Sequence, residues 1–179
     1  MKTLLALMFV LLAPALVTDS LAAENKKGLS DAQIAAILIA ANEVDIDAAR
    51  LAESRTSNDQ VKAYAERIVS EHTEANHQAK EVAKKLDMVP EENKLSNSLR
   101  SDRKRAVDRL KTLNGRQFDK AYLNDEVVFH KQVIDVVDNQ LMPSASRDEL
   151  KKLLIKIRPA LVSHLEYAEQ TQQYVDQMR

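Results

Sequence analysis

The sequence predicts an all-α protein, four long helices packed as one bundle. Three observations point there. Two glycines, four prolines and no tryptophan, with abundant Ala, Leu, Lys, Glu and Gln, disfavour a sheet protein with its many turns. Apolar residues recur at spacings of three and four in four separate stretches, the mark of one buried stripe per helix. Hydroxyl residues stand three places ahead of Gln or Glu at the starts of these stretches, as capping boxes require.

The chain opens on a different kind of segment. Lys2 precedes an apolar run from Leu4 to Val17, and Ser20-Leu21-Ala22 supplies the small residues that signal peptidase needs. Residues 1–22 read as a secretory signal peptide, with Ala22 or Ala23 the last residue removed, and 23–179 as the folded domain. The run is shorter than the about 20 residues that span a bilayer, and no second one follows. The expected location is the periplasm, with association with the outer membrane the further option and no transmembrane segment in the mature chain. With no cysteine, a chain exported to an oxidising compartment has no disulfide, thiolate ligand or thiol nucleophile. Core burial alone must hold the roughly 155 remaining residues, the size of one ordinary domain.

Helix by helix, the stripes are consistent. The first helix is expected over 31–54 behind Ser30-x-x-Gln33, with Ile37, Ala41, Val44, Ala48 and Leu51 inward. The second runs over 58–86 behind Ser57-x-x-Gln60, with Val61, Ala65, Ile68, Ala75 and Ala79 inward, until "DMVPEEN" breaks it. A shorter helix over 99–113 ends at Asn114-Gly115. The next long helix runs over 117–141, "MPSAS" turns the chain, and the last runs over 147–177 behind Ser146-x-x-Glu149. Pro159 should bend or restart that helix. The connection from Asp87 to Gly115 is long enough to cross the whole bundle, since a helix of about 15 residues alone covers some 22 Å. One long central crossover is the ferritin-like arrangement.

Charge excludes little but helps. A net charge of −1 argues against a nucleic-acid partner. The basic run "RSDRKRAVDRLK", Arg100 to Lys111, is interrupted by Asp102 and Asp108 and reads as a solvated helix face.

Three histidines break the apolar stripes. His72 stands in line with Ile68 and Ala75, His130 with Val127 and Ile134, and His164 with Leu161 and Ala168. Each lies on a different long helix. The first helix adds Asp45, stepping from Ala41 to Ala48 near the stripe's edge, while Glu43 points away. A lone histidine on an apolar face is most often a core residue with satisfied nitrogens. Three of them with a carboxylate are harder to satisfy separately, because each unpartnered buried polar group costs about 1–3 kcal/mol. A shared metal ion, a water network or Asp–His hydrogen bonds would each serve. Imidazole and carboxylate suit a transition metal such as Zn, Cu or Fe, and the missing thiolate lowers the case for Cu(I). Glu126, one turn before His130, is a further ligand, an acceptor behind one, or a rim carboxylate. Glu74 and His77 spell the Glu-x-x-His of di-iron bundles, but they are turned about 200° and 140° from His72, towards solvent. Leu161 stands where the matching glutamate before His164 would be.

"VKAYAERIVSEHTEAN", "FDKAYLNDEVVFHKQVIDVV" and "RPALVSHLEYA" resemble the blocks of an exported bacterial ferritin-like family, catalogued as domain of unknown function 4142 and labelled a predicted outer-membrane or periplasmic protein. That resemblance implies the ferritin-like fold and export. It also implies that the family's histidines fall on His72, His130 and His164, its first-helix acidic residue, usually glutamate, on Asp45, and further matches on Asp119 and Tyr122. It implies no particular activity. The expected function is an exported helical bundle that binds a transition metal through Asp45, His72, His130 and His164, with a metal-handling or stress-linked role. The alternative is a non-catalytic interaction or structural module with a buried His/Asp hydrogen-bond network and no metal. A redox enzyme departed from the di-iron oxidases ranks last.

Overall fold

The computed structural model describes residues 28–178, so the expected leader and its cleavage point lie outside the described residues. The chain folds into α1 (Asp31–Arg55), α2 (Asp59–Lys85), α3 (Lys94–Leu110), α4 (Gly115–Val136), a π-helical turn (Val137–Leu141), the single turn α5 (Met142–Ser144) and α6 (Asp148–Gln177). Among the described residues there is no strand, and no helix is long and apolar enough to cross a membrane. The all-α helical bundle expected from the periodicity is the fold observed.

The first capping box forms as expected. Ser30 Oγ accepts from the Gln33 amide at 3.1 Å while Gln33 Oε1 accepts from the Ser30 amide at 3.2 Å. The second is displaced by one residue. Asn58 rather than Ser57 caps α2, its Oδ1 accepting from the Gln60 and Val61 amides, the second and third of the helix, as an N-cap oxygen does. The third does not form. Arg147 stands at the α6 N-cap without a side-chain bond, and Ser146 is drawn instead to Asp31. The Asp31 carboxylate accepts from the Ser146 and Arg147 amides at 2.8 and 3.1 Å and from the Ser146 hydroxyl. A charged acceptor outcompetes a neutral one, and the starts of α1 and α6 are thereby tied together.

Three other boundaries differ from expectation. α3 begins at Lys94, five residues ahead of Leu99, because Asn93 and Ser96 form a reciprocal cap. Gly115 opens α4 instead of closing α3, with φ of 52° that a side chain would resist. The helix expected to reach Leu141 leaves α geometry at Val137. Met142 N–H bonds back five residues to Val137 O, and Pro143 has no N–H to continue an α ladder. Pro159, by contrast, neither ends nor restarts α6, which runs unbroken through it. The carbonyl that it deprives of a partner belongs to Ile155, whose residue is 64% exposed, so water can take that bond.

α1 packs along α2, α4 along α6, and α2 against α6, while α3 lies against the outer side of α1. The apolar interior divides into two clusters. One gathers Ile34, Ile37, Val44, Val133, Leu154 and Leu161; the other gathers Ala48, Ile68, Tyr122, Leu123, Val127 and Ala168. Each of the four predicted ligand residues stands where its helix passes from one cluster to the other: Asp45 between Val44 and Ala48, His130 between Val127 and Val133, His164 between Leu161 and Ala168, and His72 beyond Ile68. The four residues thus share one level of the bundle.

Asp31 gives a test of the tie between helix starts. Asp31→Ala should cost about 1–2 kcal/mol, a fall in Tm of about 2–8 °C by circular dichroism. The Ser146 and Arg147 bonds hold the Asp31 carboxyl below its ordinary value against the opposing pull of partial burial. The wild-type advantage should therefore be complete above about pH 4 and disappear as pH falls through the depressed value.

Candidate metal centre

The level between the two apolar clusters is polar and closed to solvent. Asp45 and His130 are 0% exposed, His164 2% and His72 3%. One ring nitrogen from each of the three histidines lies within 4.8 Å of the others. His72 Nε2 is 3.2 Å from His164 Nδ1 and 3.3 Å from Asp45 Oδ2, and His130 Nε2 is 3.8 Å from that same oxygen. All four predicted ligand residues are thus brought together. A tetrahedron with arms of about 2.0–2.1 Å, as around zinc, has edges of about 3.3–3.4 Å; the His72–His164 and His72–Asp45 separations match such an edge, and the other separations in the set are wider.

The outer nitrogens decide what the inner ones can do. His72 Nδ1 donates to Asn42 Oδ1 at 2.9 Å, His130 Nδ1 to the Glu126 backbone oxygen at 3.0 Å, and His164 Nε2 to Glu71 Oε2 at 2.6 Å. All three partners are acceptors, so each outer nitrogen carries the proton and each inner nitrogen presents a lone pair. Acceptors fixing the far nitrogen are the usual second layer around a metal-bound imidazole. His130 Nε2 and Asp45 Oδ2 have no hydrogen-bond partner at all. With the outer nitrogens protonated, His72 Nε2 and His164 Nδ1 turn lone pairs towards each other at 3.2 Å, and His130 Nε2 and Asp45 Oδ2 stand unpartnered beside them; a cation is what such a set lacks. Protons are poor candidates. Burial lowers all three histidines, against the pull of Asp45 on His72 and His130 and of Glu71 on His164, and brings His72 down to about 4. The buried His, Asp and Glu groups could hold a metal ion.

Beside this set lies a charge cluster that the sequence reading placed wrongly. Arg103, read as part of a solvated basic face, is 4% exposed. Its Nη2 donates to Asp45 Oδ1 at 2.7 Å and to Glu126 Oε1, and its guanidinium lies 4.7 Å from the centre of the Phe129 ring. Glu126 is no rim residue. It is 0% exposed, and its other oxygen accepts from the Tyr64 hydroxyl at 3.0 Å. Burial works to raise Asp45, yet Arg103 and then the histidines hold it below its ordinary value. Glu126 goes the other way, raised by burial and by Asp45 despite Arg103.

Other sequence judgements stand. Glu43 turns outward to Lys80 and Arg100 at 3.2 and 3.0 Å, and Glu74 and His77 are exposed. Asn42, Tyr64 and Arg103 were missed, although Tyr64 steps three and four between Val61 and Ile68, and Arg103 lies seven before Leu110 and four after Leu99. Glu71 carried no signal, since its helix face is half exposed.

The model of a family described as Domain of unknown function (DUF4142) matches residues 17–171. The chain belongs to that family. The match covers every residue of the DUF4142 chain's polar level, from Asn42 to His164. No curated protein matches the chain, and no solved structure does either.

Arg103 should behave unlike its exposed neighbours on α3. Arg103→Ala leaves Asp45 and Glu126 without their shared donor and should cost about 3–5 kcal/mol in urea unfolding. Arg105→Ala, which removes a side chain 71% exposed, should change stability by less than about 0.5 kcal/mol.

Proposed function

We propose that this protein is an exported, periplasmic ferritin-like bundle that holds one transition-metal ion between His72, His130, His164 and Asp45, in a metal-handling or stress-linked role. One observation carries the reading: three imidazoles donate outward to Asn42, Glu126 and Glu71, so their inner lone pairs and Asp45 Oδ2 converge without a hydrogen. The donor set of three nitrogens and one oxygen suits Zn²⁺, Cu²⁺ or Fe²⁺. The ion would supply the positive charge that this set lacks. The protein's own part is to fix three ring orientations through their outer bonds and to keep water out. Export is supported by Lys2, the apolar run Leu4–Val17 and Ser20-Leu21-Ala22. The long α2–α4 connection carrying α3 supports the ferritin-like arrangement.

Untagged protein purified from the periplasmic fraction should bind one equivalent of Zn²⁺, Cu²⁺ or Fe²⁺ in calorimetric titration. Free ion at 100 times Kd should stabilise the fold by about 2.7 kcal/mol, or roughly 5–11 °C in Tm. Replacing His72, His130 and His164 together by alanine should abolish both effects. Stoichiometric binding that survives that triple replacement overturns the site.

Arg103 favours a second reading. It already neutralises Asp45, so the histidines can form a purely structural hydrogen-bonded layer with no metal. In that case a chelator leaves Tm unchanged and His130→Leu is neutral or stabilising; a fall in Tm with chelator rejects it.

A further inference from the structure

Beside the histidine set, Asp45, Glu126 and His130 form a second group of ligand atoms within 4.8 Å of one another. The two groups share His130, and Asp45 lies between them, its Oδ2 3.3 Å from His72 Nε2 and its Oδ1 on the Arg103 guanidinium that Glu126 also holds. A carboxylate placed this way could bridge two cations about 3.5–4 Å apart, as two-metal sites do. The second position is taken. Arg103 Nη2 donates to Asp45 Oδ1 and Glu126 Oε1 together, the two oxygens that a second ion would draw on. The guanidinium does not belong to any of the four long helices. It arrives from α3, which is fastened over α1 partly by Arg100 on Glu43 at 3.0 Å.

We propose that Arg103 is a built-in second cation, which confines the protein to one metal ion and closes the Asp45–Glu126–His130 position to another. This rests on the histidine reading for the first ion, and it excludes two-metal chemistry from that reading. A divalent ion at the histidines and the guanidinium together already outnumber the negative charge that Asp45 and Glu126 can carry. A further divalent ion has no counter-charge while Arg103 remains. With Arg103 shortened, two carboxylates lose their cation, and the position can be reached from a groove of about 560 Å³ between α1 and α3 in whose wall Arg103 lies.

Zn²⁺ and Mn²⁺ titrated into untagged wild type, Arg103→Lys and Arg103→Ala, with metal content measured after desalting, test this. The wild type and Arg103→Lys, which keeps the charge, should hold one ion each. Arg103→Ala should hold two, its Tm rising with metal more than the wild type's, and adding Glu126→Gln should return it to one. One ion in both the wild type and Arg103→Ala, two in the wild type, or an Arg103→Ala protein that stays unfolded at saturating metal overturns the proposal. No ion in the wild type with one in Arg103→Ala overturns the histidine reading and leaves the Arg103 inference standing. No ion in either overturns both.

Discussion

Two carboxylates buried at one level of a helical bundle, Asp45 and Glu126, set the terms for everything around them. Neither reaches water, and an uncompensated charge in such a place costs several kcal/mol. Arg103 answers both at once. It reaches them because α3 lies across α1, and α3 lies there because the chain between α2 and α4 is long enough to carry a helix. A connection that could pass for a mere crossover thus delivers the positive charge on which the interior depends.

The three histidines extend the same level. Each is held from outside, by an amide oxygen, a backbone carbonyl or a carboxylate, so ring orientation is decided by groups that are not themselves part of the converging set. The apolar clusters above and below hold the helices in register. Sliding any one helix by a turn, about 5.4 Å, would strip its polar residue of its partners on the neighbouring helices and bury it among Ile, Leu and Val. The polar layer therefore costs stability in isolation but makes alternative alignments of the helices far worse.

Much of this was readable in the sequence, and the failures have physical causes. A stripe of apolar residues interrupted by His72, His130 and His164 is visible because imidazole is rare in such company. The same test applied to α3 picks out Arg103, in line with Leu99 and Leu110, but the surrounding Arg100, Lys104 and Arg105 hide it: charge density says nothing about which member of a run turns inward. The helix starts fared similarly. Ser30 caps α1 with local partners alone, so local pattern sufficed. Ser146 failed as a cap because its competitor, Asp31, is 115 residues away in the chain, and no local motif contains that distance.

The burial of the polar level has a temporal consequence. With Asp45 and His130 wholly enclosed, nothing the size of a hydrated ion can come or go while the helices stay packed. Exchange must wait for the bundle to open locally, and such openings are rare and slow compared with diffusion. Affinity and residence time are then decoupled. Whatever is enclosed when the chain first folds is kept by the walls as much as by its ligands.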